Sequence, residues 1–248
     1  MPIINMNDYE INYEIKGNGP HLILLHDGFF GIKTWDKVYD LLSAHFTVVA
    51  YDRRGYGRST HIDNFTGDII ESGVDELKSF TEALGIQTFH LCGHCLGAAI
   101  AVQFTHQYPD MVHKLIIEAG GLYTDEYSED KCDWTFKPFE DLETEFRDQL
   151  NEMHGLGYAQ KLWDIMRAYK DSYIMYRYYT IMPSIKMMKN EMFFIYGDRD
   201  FYFNIAHAIA GFVLKRRRSK LWIVPNTGHI PHMERSIDFA KMVIEYLN

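Results

Sequence analysis

Apolar and polar positions alternate through Ile11-Asn12-Tyr13-Glu14-Ile15, the period-two pattern of a half-buried strand. Further along the pattern changes. Residues 21–25, 46–51, 89–92, 112–118, 192–196 and 221–224 are short, nearly continuous apolar runs, as expected of strands covered on both faces of a parallel sheet. Helical stretches fall between and after them at about 34–44, 68–84, 96–108 and 236–247, with Gly85 and Pro109 as stops. Strands alternating with helices predict an α/β fold with a doubly wound, mostly parallel sheet. The alternation lapses after Gly120-Gly121. From 122 to 189 no strand pattern appears, and Trp163, Met166, Tyr169, Tyr173 and Tyr176 recur at helical spacing. The chain is expected to divide into a sheet-bearing core, residues 1–121 and 190–248, and a helical cap at 122–189.

One junction carries the candidate chemistry. The apolar run at 89–92 enters Gly93-His94-Cys95-Leu96-Gly97 and leaves in an alanine-rich helical pattern. Small residues two places before and after Cys95 suit a sharp strand-to-helix turn, where a side chain would strike the neighbouring backbone. Cys95 is then exposed at a helix N-terminus, where the macrodipole and free N–H groups favour a thiolate. The letters Cys92-Gly93-His94-Cys95 also spell the dithiol of disulfide isomerases. This chain is much longer than a thioredoxin-like domain, and that reading leaves Gly97 unexplained. With its strand and helix, the Gly-x-Cys-x-Gly turn resembles the nucleophile elbow of the α/β-hydrolase superfamily. Cysteine stands where serine is usual, either as the native nucleophile or as a replacement for serine.

An activated cysteine needs a base, and the base an orienting acid. Two later strand ends supply them in the superfamily's order. The run at 192–196 leads into Gly197-Asp198-Arg199-Asp200, and that at 221–224 into Pro225-Asn226-Thr227-Gly228-His229. The resemblance puts the acid three residues after Gly197, at Asp200, and the base at His229, leaving Asp198 as a turn carboxylate. It also implies an oxyanion hole made by the backbone N–H groups of Gly28 (or Phe29) and Leu96. His26-Asp27-Gly28 departs from the superfamily's His-Gly, setting a carboxylate either beside the hole or out in solvent. The run from Asp52 to Ser59 matches a further superfamily pattern and is expected to hold the loop beside the site. An insertion at this point in the superfamily covers the nucleophile, so substrate contacts are expected from Phe29, His94, Trp163 and Tyr176. Of the other histidines, His26 is expected to fix the oxyanion loop, and His207 and His232 to lie at the surface or face the cap.

Charge and composition narrow the rest. The net charge of −9 argues against a nucleic-acid partner. The only basic run, Lys215-Arg216-Arg217-Arg218, follows an apolar stretch and reads as compensation of a helix C-terminus. No apolar run reaches membrane-spanning length and the start lacks a signal-peptide pattern, so a cytoplasmic protein without a membrane partner is expected. Three cysteines make no disulfide framework; Cys92 reads as a strand residue and Cys132 as a loop thiol. Without HExxH, Cys/His metal spacing or GxGxxG, no metal and no cofactor are expected. The chain thus reads as a cofactor-independent hydrolase of a small-molecule activated ester, lactone or thioester, acting through a Cys95-linked acyl-enzyme. Acyl transfer to another acceptor, a non-catalytic small-molecule receptor and a thiol oxidoreductase stand as alternatives. The pattern sets no oligomeric state.

Overall fold

A computed structural model describes residues 2–172 and 179–248, without the side chains of 132–134, 171, 172 and 216. The six apolar runs form β3 (His21–Leu25), β4 (Thr47–Tyr51), β5 (Phe89–His94), β6 (Val112–Glu118), β7 (Glu191–Gly197) and β8 (Ser219–Val224). The alternating stretch forms β2 (Glu10–Lys16), antiparallel to β4, and a short β1 (Ile3–Asn5), too brief to show in the pattern, runs antiparallel to β2. The sheet order is β1-β2-β4-β3-β5-β6-β7-β8. From β4 to β8 every pairing is parallel, as expected. The C-terminal ends of these strands therefore share one edge, where a doubly wound sheet gathers its functional loops.

The helices in chain order are α1 (Asp36–Ser43), α2 (Ile69–Ala83), α3 (Leu96–Gln107), α4 (Glu126–Thr135), α5 (Thr144–His154), α6 (Tyr158–Ser172), α7 (Met182–Met187), α8 (Ile205–Lys215), α9 (Pro231–Glu234) and α10 (Ser236–Leu247). The Asp68 side chain starts α2 by accepting from the Ile70 and Glu71 N–H groups. One sheet face is covered by α2, α3, α7 and α8 through Val74, Phe80, Ile100, Phe104, Ile185 and Ala208. The other is covered by α1 and α10 through Val38, Leu42, Phe239 and Val243. Both faces being covered explains why the strands read as continuous apolar runs.

The chain leaves β6 and returns to β7 through a narrow neck. Tyr123 and Thr180 form an isolated bridge there, and the Ile181 N–H donates to the Leu122 carbonyl. Between them, Phe139, Leu150, Leu162 and Trp163 pack on Phe30 and Tyr56 from the loops after β3 and β4. The segment thus sits over the C-terminal edge of the sheet. Tyr173 and Tyr176 lie outside the described residues. Among those described, no helix is long and apolar enough to cross a membrane.

Candidate active site

β5 ends at His94 and α3 begins at Leu96, leaving Cys95 alone in the turn at φ 52° and ψ −114°. A non-glycine residue held there stores about 1–3 kcal/mol of strain. Its neighbours hold it by close approach. A Cβ on Gly93 would lie 2.2 Å from the Gly97 carbonyl oxygen, and one on Gly97 2.4 Å from that of Leu25. The Cys95 N–H donates to the Glu118 carbonyl at 3.0 Å, tying the turn to the end of β6. Cys92 packs in the core beneath α1 and α10, where burial pushes its thiol well above the ordinary range. Both cysteines are free.

The expectation of an exposed thiolate is corrected. Cys95 is only partly exposed, and burial pushes its thiol up to about 11. His94 and the Leu96 N–H pull it back, but the Asp27 and Asp200 charges push the same way as burial. Desolvation outweighs the helix start, and the sulfur is a thiol at neutral pH. With Cys92 and Cys132 replaced by alanine, alkylation of Cys95 by iodoacetamide is expected to accelerate through and beyond pH 9. A rate already level at neutral pH would reveal a standing thiolate.

His229 lies after β8 and Asp200 after β7. The His229 Nδ1–H donates to the Asp200 carboxylate, 2.9 and 3.0 Å from its two oxygens. Asp200 Oδ1 also accepts from the Tyr202 and Phe203 N–H groups at 2.8 and 3.1 Å, which fixes the carboxylate. His229 Nε2 is buried and makes no hydrogen bond among the described residues. Burial pushes His229 down, but the Asp200 charge and hydrogen bond outweigh it, and the imidazole ends above its ordinary value. Asp198 faces outward and accepts from the Thr227 N–H at 3.1 Å, so it secures the turn.

On the loop after β3, Asp27 is buried, and its Oδ1 accepts from the Phe29 and Phe30 N–H groups at 2.5 and 2.9 Å. That occupies Phe29, whereas the Gly28 N–H has no acceptor among the described residues. Gly28 lies against Leu96, whose Cδ2 would be 3.7 Å from a Cβ added there. The Asp27 carbonyl accepts from Arg53 Nη2 and, at 2.8 Å, from His26 Nδ1–H. His26 Nε2 accepts from the Arg53 N–H at 3.1 Å, and burial keeps the ring neutral, well below its ordinary pKa. His154 of α5, which sequence reasoning missed, clamps two loops. Its Nε2–H donates to the Phe29 carbonyl at 2.7 Å, and its Nδ1 accepts from the Gly57 N–H at 2.9 Å. Asp52 accepts from the Ile32 and Arg58 N–H groups at 2.7 and 2.9 Å, the loop-holding expected of that run.

Behind the turn lies a buried charged layer. The expectation that His94 touches substrate is corrected, because it is fully buried and absent from the cavity lining. Its Nε2–H donates to the His229 carbonyl at 2.9 Å, and its Nδ1 faces Asp27 Oδ2 at 3.5 Å. Burial pushes the His94 imidazole down, but the Asp27 and Glu118 carboxylates facing it outweigh that and leave it above its ordinary value. Burial likewise opposes the Asp27 charge, yet His94 holds this carboxyl well below the usual carboxylate range. Asp27 thus points neither to solvent nor into the hole. Below it, Glu118 accepts from the His232 N–H at 2.8 Å and from its Nδ1–H at 2.9 Å, while His232 Nε2 accepts from the Thr34 hydroxyl at 3.0 Å.

Neither His232 nor His207 is at the surface: both are fully buried, His207 stacked on Tyr123 at 4.1 Å between ring centroids. Trp163 is a further correction. It is fully buried, its Nε1–H donates to the Lys137 carbonyl at 2.9 Å, and its ring backs Phe29 at 5.6 Å and Phe136 at 5.5 Å. A helical stripe does not tell which of its rings faces inward. Tyr176 lies outside the described residues.

The structure does bring Gly28, Phe29, Cys95 and Leu96 together on one cavity of about 210 Å³. Its other walls are mainly aromatic, from Tyr56, Phe65, Phe136, Tyr169, Tyr179, Tyr202 and Phe203, with Asp68, Glu129 and Lys170 adding charge. Tyr202 and Phe203 also pack on the His229 ring, at 4.7 and 5.8 Å, which joins the cavity wall to the His229–Asp200 pair. No group of residues suited to a metal ion occurs among those described.

This arrangement was compared with known proteins. Residues 20–165 match the family described as alpha/beta hydrolase fold. The chain belongs to that family. Serine hydrolase BPHL of Homo sapiens is 26% identical over 263 residues, covering 98% of this α/β hydrolase and 85% of the human protein. An uncharacterized protein of Mycobacterium tuberculosis is 32% identical over 122 residues, 48% of this chain, which spans only 35% of the mycobacterial protein. Among solved structures, the enol-lactonase from Burkholderia xenovorans LB400 superposes with a TM-score of 0.72 at 20% identity, covering 99% of each chain. A meta-cleavage product hydrolase from Pseudomonas fluorescens IP01 gives 0.75 at 19%, covering 97% of this chain and 94% of that one. At such identity the superpositions speak for the fold.

Proposed function

We propose that this protein is a cofactor-independent hydrolase of a small activated ester, lactone or thioester, acting through an acyl-enzyme on Cys95. Of the segment 122–189, the part as far as the neck at Thr180 serves as its cap, while α7 packs on the sheet face. The observation that carries this is Cys95 held in a strained turn on an aromatic-walled cavity, with the unpartnered Nε2 of an Asp200-oriented imidazole beside the same wall. Cys95 begins as a thiol, so His229 Nε2 takes its proton as the sulfur attacks the acyl carbon. The Gly28 and Leu96 N–H groups receive the oxyanion, each such donor supplying about 3–4 kcal/mol of transition-state stabilisation. The Asp200 carboxylate stabilises the imidazolium. The intermediate then expels the leaving group, which takes the proton from His229. Water attacks the thioester with His229 as base, releasing the acid and the thiol.

Sulfur narrows the substrate. A thiolate leaves more readily than an amine, so an amide-derived intermediate collapses backward, whereas activated esters, lactones and thioesters proceed. The aromatic walls favour an apolar acyl group, and the volume is small against the roughly 300–1,000 Å³ of drug-sized ligand sites. The whole-chain human relative is named a serine hydrolase, which suits a nucleophilic mechanism. Against the thiol oxidoreductase, Cys92 is buried in a strand beneath α1 and α10. Intact-mass measurement after exposure to a panel of activated esters and lactones is expected to reveal a transient acyl adduct mapping to Cys95. An adduct that persists in Cys95→Ala, or substrate turnover without any adduct on Cys95 under rapid quench, overturns the reading.

A further inference from the structure

Helix α8 buries its polar residues and leaves four large apolar ones exposed. Ile205, Ile209, Val213 and Leu214 are 39, 44, 60 and 40% exposed, and Ala206 is exposed beside them. The only polar side chains of this helix, His207 and Lys215, are buried, the lysine donating to the Lys186 and Met188 carbonyls. A helix that faces solvent normally shows it a polar stripe. An apolar one of this extent marks a contact surface. Met187, at the end of α7 and 69% exposed, enlarges it near the C-terminal end of α8.

The two ends of this face carry opposite charge. At the C-terminal end, Lys186, Lys189, Arg217 and Arg218 are exposed, and neither 182–190 nor 205–220 contains a carboxylate. The N-terminal end adjoins α4, whose Tyr127 hydroxyl donates to the Asp200 carbonyl at 3.4 Å and whose Lys131 lies over the Phe201 ring at 4.6 Å. Glu126 and Asp130 of α4 are exposed there.

We propose that α8 packs antiparallel against α8 of a second copy of this chain across a two-fold axis. A two-fold contact must be complementary to itself. A face that runs acidic, apolar, basic meets that condition when reversed on itself, because the basic end of each copy then reaches the acidic α4 of the other. The apolar stripe spans about 14 Å at about 1.5 Å per residue and occupies the middle. Parallel pairing sets like charges together. An anionic bilayer, which also takes an apolar face with a basic rim, meets a chain of net charge −9. The dimer contact bears on α4, which contributes Ser128 and Glu129 to the cavity wall.

Sedimentation velocity of the full chain tests this and does not depend on the assigned chemistry. The unaltered chain is expected to run at twice its own mass. Ile209→Asp with Val213→Asp is expected to raise the dissociation constant by at least about tenfold, with an unchanged far-ultraviolet spectrum because both side chains are exposed. Lys189→Glu with Arg217→Glu weakens the dimer as well, and adding Glu126→Lys and Asp130→Lys restores it, a rescue that misfolding cannot imitate. A monomer, a dimer indifferent to the α8 changes, or a charge exchange without rescue overturns the proposal. So does a monomer that sediments with phosphatidylglycerol vesicles through α8.

Discussion

Cys95→Ala is expected to abolish turnover of p-nitrophenyl esters, while Cys92→Ala keeps most of it. Alanine occupies the same strained φ and fits wherever cysteine does, so the turn between Gly93 and Gly97 stays intact and the loss is chemical. Removing the nucleophile of a serine hydrolase costs about 10⁶-fold in kcat, and a loss of that order is expected here. Cys92 is buried beneath α1 and α10, so its truncation removes a small apolar group. Cys95→Ser retains a nucleophile on the same turn, with the same N–H groups and the same imidazole, and stays active. Full activity in Cys95→Ala would end the reading of this turn as the site of attack.

Asp200→Asn is expected to lower kcat by about 10⁴-fold, the loss seen when a serine protease is deprived of the same charge. An already ionised thiolate would need its base less and soften the effect. With the Cys95 thiol pushed up to about 11, no such discount applies. KM changes little, since Asp200 is buried and bonded to His229 and to two backbone N–H groups. The pH profile carries the sign. Only neutral His229 accepts the proton, so kcat/KM in the unaltered protein falls as pH drops through a midpoint above the ordinary histidine value. Without the carboxylate, burial is opposed only by the weaker pull of Asp27 and Glu118, and the acid limb of the residual activity moves to lower pH. Asp198→Asn leaves both rate and profile nearly unchanged, because the asparagine oxygen still accepts from the Thr227 N–H. Equal losses from the two substitutions would contradict this division of roles.

The elements legible in the sequence are those that backbone geometry or apolar periodicity imposes locally. Gly93 and Gly97 announced the turn because the Gly97 and Leu25 carbonyls exclude any Cβ there. The loops bearing Asp200 and His229 were legible through the superfamily's order of strand-end motifs, and β7 and β8 do end on the same sheet edge as β5. What stayed hidden depends on groups far apart in sequence. The Glu118–His232 contact joins residues 114 positions apart, and His154 reaches Phe29 across 125. His94 stands beside Cys95 in sequence, but its role is set by Asp27 and by the His229 carbonyl. The thiol's state is hidden for the same reason: a helix start is visible in sequence, whereas the burial that outweighs it is not.

The Asp27 carbonyl and the Gly28 N–H belong to one peptide plane. Arg53 and His26 hold the oxygen end, so the plane cannot turn without breaking both bonds. A guanidinium on that oxygen also draws electron density along the amide and makes the N–H at the other end a better donor. In the proposed mechanism the Gly28 N–H is therefore aligned and polarised before the acyl group enters, and little reorganisation is left for the moment when charge develops. Arg53 is absent from the cavity lining, yet its positive charge is felt there, relayed through a single peptide bond.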